Sequence, residues 1–360
     1  MRRVTVRVRK AEKIRVRTLL IPRAMHRAGG RESLSRLPRS AKWLGLVFSL
    51  LLVARANAMR PCGDDIDGHG KHVACSCGDL LVSSHTLTAA DHVTHGSCPG
   101  TGLVIAADGP VTLDLNGRTV SGTGQGAGVL VLRGRLDLVG PGTIDGFEHG
   151  LLARGSAALG TVMAVRSVHN RLNGFFAEAD GYTIQGSVAE ENGRDGFALG
   201  GSAYAVDGNR AVGNHRYGFN VWGMGAHLGG GLGNEAAFNG MGGVYLRGMM
   251  HEMVGVTSTA NNGYGVMASV MNTLFTDVHA ASNAGDGLQV MGMWIAIGAS
   301  TADDNRGYGI YVMGMDVDDR GGNHGAGNAG LVGLAGTPSV RANETPALVQ
   351  CRMGMMTECR

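Results

Sequence analysis

Seven times the chain writes a small residue, two free positions, Asn, three free positions, Gly and an apolar residue. The asparagines are Asn170, Asn192, Asn214, Asn239, Asn261, Asn283 and Asn305. The pairs that follow are Gly174–Phe175, Gly196–Phe197, Gly218–Phe219, Gly243–Val244, Gly265–Val266, Gly287–Leu288 and Gly309–Ile310. Five of the six steps between successive asparagines are 22 residues and one is 25. A fixed period of this length means one structural unit stacked on copies of itself. Two helices and a turn need roughly 30 residues or more, so the unit is not a helical hairpin. In Gly196-Phe197-Ala198-Leu199 and Gly309-Ile310-Tyr311-Val312 the first and third positions after Gly are apolar, which is strand periodicity. Three short strands and three turns fill such a period. The natural unit is one turn of a parallel β-helix, with equivalent residues stacked at about 4.8 Å.

The Asn column has a physical reason. Stacked amides hydrogen-bond up and down a column, and Asn suits the left-handed residue of a tight turn. The Gly is expected to permit a sharp corner before the next apolar strand. These asparagines are therefore read as scaffold. Gly102–Leu103, Gly128–Val129 and Gly150–Leu151 read as earlier turns and Gly330–Leu331 as a last one. The stretch Val111-Thr112-Leu113-Asp114-Leu115-Asn116-Gly117 is an alternating strand ending in an Asn-Gly turn. Roughly eleven turns fit between residues 102 and 335, as one elongated solenoid.

The passage from Cys98 to Ile105, the strand from Val111 to Gly117 and the Asn-x-x-x-Gly-apolar repeats resemble secreted bacterial right-handed parallel β-helix proteins of the pectin-lyase-like superfamily. The resemblance covers about two-thirds of the chain. It implies an all-β, right-handed parallel β-helix. It does not imply one activity, because the superfamily includes polysaccharide lyases, hydrolases, epimerases and a copper-handling periplasmic protein.

The first 58 residues carry 15 of the 32 Lys and Arg and only two acids, Glu12 and Glu32. A charge-free stretch from Trp43 to Ala54 leads to Ala56-Asn57-Ala58, a small-residue cleavage pattern. Residues 1–58 are expected to be a secretory signal region, with a true start at Met25 giving a signal of ordinary length. Its apolar part is too short for a lasting membrane span. Without it the chain has 17 basic and 27 acidic residues, a balance of −10. That charge disfavours nucleic acid and anionic lipid, and fits neutral glycans, cationic ligands or metal ions.

Residues 59–101 read as a Cys/His-rich N-terminal cap and 336–360 as a C-terminal cap or tail. All six Cys flank the solenoid, whose open strand edges need closing. In an exported protein they are expected to form three disulfides. Cys351–Cys359 is the assignable pair; Cys62, Cys75, Cys77 and Cys98 allow three connectivities.

Three places offer chemistry. In the cap, His69, His72, Cys75, Cys77, His85, His92, His95 and Cys98 fall within 30 residues and are ligand types for Zn or Cu, with disulfides and surface histidines as the favoured reading. Six residues after the repeat Gly stand Met224, Met249, Met271, Met293 and Met315, with His227 and His251 nearby. Stacked thioethers suit Cu(I), with Met249, Met271, Met293 and His251 as candidate ligands; a buried apolar ladder is the favoured reading. Third, Glu148 and His149, Arg171 and Asn173, Arg194 and Asp195, and His215, Arg216 and Tyr217 occupy equivalent corners of four successive turns. The resemblance implies catalytic acids and Arg or Lys spread over adjacent turns in this way. Asp195, Arg194 and Arg216 are the catalytic candidates, with His149, His215 and Tyr217 as substrate-binding candidates. Asp195 has no acidic neighbour in adjacent turns, so a glycosidase-type carboxylate pair is unsupported.

The expected protein is secreted, periplasmic or on the cell surface, monomeric, and binds or processes an extracellular polysaccharide as a lyase, hydrolase or epimerase. Ca or Cu is the cofactor class to consider. A copper-binding β-helix and a structural or adhesive surface protein are the alternatives.

Overall fold

The computed structural model describes residues 59–154, 158–329 and the strand Gln350–Cys351. The expected signal region, the expected last turn at Gly330–Leu331 and Cys359 of the expected Cys351–Cys359 pair lie outside the described residues. The described residues form an all-β parallel solenoid of about twelve turns, close to the roughly eleven expected. Each turn gives one strand to each of three parallel sheets. In the turn that starts at Phe197 these are Phe197–Ser202, Ala205–Asp207 and Arg210–Val212. They pair with the next turn as Phe197↔Phe219, Ala205↔His227 and Arg210↔Glu235. The first two registers step by 22 residues and the third by 25. The three extra residues therefore lie between Gly229 and Glu235, where the Asp207 carboxylate accepts the backbone N–H groups of Leu232 and Gly233.

The pleat sorts the side chains. Positions one and three after the repeat Gly point inward, and positions two, four and six point outward. The inward column Phe175, Phe197, Phe219, Val244, Val266, Leu288 and Ile310 runs in register through the first sheet. Every member is buried. Phe175, Phe197 and Phe219 stack nearly flat, with ring centroids 4.8 and 4.9 Å apart.

The Asn column forms as expected and runs one residue further, to Asn328. From Asn192 onward each Asn side-chain oxygen accepts both the backbone N–H and the Nδ2 of the Asn one turn back, as in Asn192 N→Asn214 Oδ1 at 3.1 Å and Asn192 Nδ2→Asn214 Oδ1 at 2.9 Å, while Asn170 Oδ1 accepts the Phe147 N–H. Two expectations about this corner are corrected. The left-handed residue is not the Asn but the one before it: His169, Glu191, Phe238, Ala260, Ser282 and Asp304 have φ between 50° and 58°. The ladder pins the Asn, so the strain of turning falls on its predecessor. The repeat Gly is required by crowding, not by a left-handed backbone. A Cβ on Gly196 would sit 2.7 Å from Asn214 Nδ2 and 2.8 Å from the Gly218 carbonyl oxygen.

Residues 59–101 already carry solenoid strands, since Pro61–Cys62 and Asp79–Leu81 join the first sheet beneath Leu103–Ile105. Cys62–Cys75 and Cys77–Cys98 are disulfides. Sequence left this connectivity open; the structure selects one of the three. The thiols are thus unavailable to a metal. Beneath them lies a buried network that the sequence did not announce. The His85 imidazole, fully buried, sits between Asp64 Oδ1 and Asp91 Oδ1, each at 2.7 Å from a ring nitrogen. Among the described residues no helix is long and apolar enough to cross a membrane.

Candidate functional site

The corner residues lie along one edge of the first sheet, joined in separate contacts between neighbouring turns. Arg171 Nη2 donates to Glu148 Oε1 at 2.8 Å. Asp195 is buried, and its carboxylate is already engaged. Oδ1 accepts the Tyr217 N–H at 3.2 Å and Oδ2 accepts Asn220 Nδ2 at 2.9 Å, while Arg216 Nε stands 3.8 Å from Oδ1. This arrangement repeats elsewhere in the column: Asp286 Oδ1 accepts the Tyr308 N–H at 2.8 Å. Asp195 is thus built to hold the next turn, Asn220 and Arg216 in place. Arg194 and His215 are exposed beside it.

His149 is half-buried, with its ring edge-on to Phe176 at 5.6 Å. Burial holds it below the usual imidazole range. Glu148 opposes that shift, and Arg154, Arg194 and Arg171 add to it. It is therefore uncharged at neutral pH. Its Nδ1 is buried with no hydrogen-bond partner among the described residues.

The outward face of the same sheet supplies groups that the corner pattern did not reveal. Position two gives Phe176 and Asn220, both buried beneath neighbouring side chains, and the part-exposed Tyr245 and Tyr311, in register; position four gives Arg154, Glu178, Trp222 and Arg247. The Arg154 guanidinium lies 4.3 Å over the Phe176 ring and that of Arg247 4.8 Å over Tyr245. Tyr217 stacks on Tyr245 at 5.1 Å, with Arg216 5.6 Å above Tyr217. Trp222 rests on Gly200, where a Cβ would collide with its indole ring. Glycine one turn back is what lets the tryptophan lie flat against the sheet. The signal for these residues was present in the sequence as parity: even positions after the repeat Gly face out.

The face is a shallow platform. Five arginines (154, 171, 194, 216 and 247) meet four acids (148, 178, 180 and 195), a local excess of +1 on a segment that carries −10 from residue 59 onward. A recess of about 370 Å³ lies on the second sheet instead, between His227, Glu252, Trp294 and Arg320. It is open and shares no residue with the platform.

The methionine column is not core. Met224, Met249 and Met315 are exposed, because position six shares the outward parity of positions two and four. This corrects the expectation of a buried ladder. His251 is buried and committed: its Nδ1 accepts the Ala226 N–H and its Nε2 donates to the Arg247 carbonyl, each at 3.1 Å.

The architecture is a parallel β-helix, as the repeats imply. No family model matches the chain, and no curated protein matches it. Among solved structures it is similar to the A-module of the Azotobacter vinelandii mannuronan C-5 epimerase AlgE4, at 18% identity and TM-score 0.43, over 70% of this chain and 80% of that one. The A-module of AlgE6 from the same organism aligns at 16% identity and TM-score 0.39, over 77% and 91%. Pectate lyase Pel9A aligns at 14% and 0.30, over 71% and 72%. These likenesses carry no statement about this chain's chemistry.

Proposed function

We propose that the protein binds an acidic extracellular polysaccharide along the outward face of the first sheet. One observation carries this reading: three arginines lie over aromatic rings on this face, Arg154 on Phe176, Arg216 on Tyr217 and Arg247 on Tyr245, while residues 59–360 as a whole are acidic. Aromatic faces receive sugar rings, and guanidinium forks receive carboxylates in two parallel hydrogen bonds. The strand spacing of about 4.8 Å repeats these groups along a track parallel to the solenoid axis, which suits a polymer. Asp195 acts by positioning Arg216 and Asn220. The two disulfides fit export to an oxidising compartment, as does the reading of residues 1–58 as a signal.

The chemistry offered at this face is proton abstraction beside a sugar carboxylate. That step needs a neutral base and cations to hold the carboxylate. His149 is the base, and Arg154 and Arg194 are the cations beside it. The step belongs to lyases and epimerases rather than to hydrolases, which need a second carboxylate.

The test is affinity electrophoresis and calorimetry with polymannuronate and polygalacturonate, using a neutral glucan as control. Arg216→Ala and Arg247→Ala are each expected to weaken binding about 10–100-fold, the cost of a charged hydrogen bond of about 1.5–3 kcal/mol. Melting should shift little for Arg247→Ala, whose side chain is exposed, and more for Arg216→Ala, which leaves the buried Asp195 without its guanidinium neighbour. Equal binding of acidic and neutral polymers, or unchanged binding by both variants, would sink the reading. Turnover, followed by NMR of the polymer, is expected to vanish in His149→Ala with binding retained. In the wild type it should fall on the acid side with an apparent pKa below about 6.5, because the folded-state value is lowered. Binding without turnover in the wild type would keep the platform and remove His149 as base.

A further inference from the structure

The methionine column is a second feature that the polysaccharide reading leaves unused. Met224, Met249, Met271, Met293 and Met315 occupy one register position in five successive turns. Three of them are 40–47% exposed, and Met313, two residues before Met315, is 39% exposed. Apolar ladders inside a solenoid need no explanation; one on the outside does. The final two turns double it. Met291-Gly292-Met293 lies directly over Met313-Gly314-Met315, with Met291↔Met313 and Met293↔Met315 in register. Residues two apart on a strand share a face, so four thioethers start from the corners of a rectangle of about 4.8 by 6.6 Å. The glycines between them are forced by crowding. A Cβ on Gly292 would strike the Val270 carbonyl oxygen, and one on Gly314 the Gly292 carbonyl oxygen. The Tyr311 hydroxyl donates to Met313 Sδ at 3.9 Å, so that sulfur lies on the outward face.

We propose that Met291, Met293, Met313 and Met315 form a thioether site for one soft monovalent cation, copper(I). Thioether sulfur is a soft, neutral donor that selects copper(I) over calcium, magnesium or zinc. It neither titrates nor pairs into disulfides. In a compartment where this chain's cysteines are oxidised, methionine is the sulfur ligand that remains free. Met side chains have three rotatable bonds, so four that start this close can converge on an ion smaller than the gap between them. His251 takes no part, since both its nitrogens are bonded to backbone groups. Met249 and Met271 continue the column but lack a second methionine at position four, where Arg247 and Ser269 stand. The cluster lies turns away from His149, Arg194 and Arg216, so the two sites can be separated by substitution.

The experiment is an anaerobic titration of the full chain with copper(I), in competition with a chromophoric copper(I) chelator. One equivalent should bind, and X-ray absorption should show sulfur as the nearest neighbour of the metal. Loss of an outer-shell partner already weakens metal sites about 10–100-fold, so Met293→Leu with Met315→Leu should weaken this one at least about 100-fold. Met224→Leu should leave affinity unchanged. Silver(I), added to protein labelled at the methionine methyl groups, should shift the four cluster resonances and leave the buried Met253 in place. This second readout holds even if the double variant folds poorly. No copper(I) binding by the wild type, nitrogen or oxygen as its nearest neighbours, or an unaffected double variant would overturn the assignment. A variant that instead loses self-association would make the ladder an apolar docking strip, which also overturns it.

Discussion

Truncating Phe197 to Ala is expected to lower stability by about 3–5 kcal/mol, the range for a buried Phe. The ring has no solvent exposure and lies flat between Phe175 and Phe219, with centroids 4.8 and 4.9 Å away. A solenoid makes the loss specific. Each turn is held mainly by its two neighbours, so one deletion weakens both the interface above and the interface below. The turns on either side cannot close the gap, because their own backbones are fixed by the strand ladder and the Asn column. Equilibrium unfolding in urea, followed by circular dichroism, measures the change. The outward Tyr311→Ala on the same sheet is the control, and a surface change of this kind stays within about 0.5 kcal/mol. A Phe197→Ala variant as stable as the control would mean that the column is not the core. A helical spectrum for the parent chain would remove the fold itself.

That core is legible in the amino-acid sequence, because a repeat states its own register. With Asn170 to Asn305 aligned, the residue five after each Asn must stack, and Phe175 to Ile310 do. The corner is legible only in part. Sequence shows that Asn and Gly recur, but not which residue takes the left-handed turn. Glu191 and Phe238 have no local preference for it; the amide ladder next door imposes it. The outward face escapes a repeat-based reading for a different reason. Corner positions point to Arg194, Asp195 and Arg216, while Phe176, Trp222 and Arg247 differ from turn to turn and so leave no repeat signal. Strand parity alone places them, and also moves the methionines from the core to the surface. The cap is the least legible part. It has no period, and its contacts join residues such as Asp64, His85 and Asp91 that only the fold brings together.

The cap should nevertheless give the largest electrostatic effect in the molecule. Asp91 is fully buried, and it accepts the Cys75 N–H and the Thr88 N–H at 2.7 Å each, the Thr88 hydroxyl at 3.0 Å and a His85 ring nitrogen at 2.7 Å. Asp64 faces the other His85 nitrogen at 2.7 Å and His72 Nδ1 at 3.0 Å. Asp91→Ala would leave the buried His85 ring and the Cys75 and Thr88 N–H groups without their acceptor, at about 1–3 kcal/mol for each buried group left unsatisfied. Asp64→Ala should cost less, because its side chain is half exposed and water can replace it. The pH dependence follows from the same contacts. Burial alone would raise both carboxyl pKa values, but hydrogen bonds outweigh it and both lie below the ordinary range; for Asp91 these come from the Cys75 and Thr88 N–H groups and His85, for Asp64 from His85 and His72. A lowered carboxyl pKa means stability that is fully present above the unfolded value of about 3.9 and is lost as pH falls through the folded one. Thermal melts from pH 7 down to pH 2 should therefore show the wild type losing stability below about pH 4. Asp91→Ala should start lower and lose less over that interval. Parallel curves for the two proteins would show that the acid sensitivity arises elsewhere. A melting point for Asp91→Ala equal to that of the wild type would show that the disulfides hold the cap without help from the network.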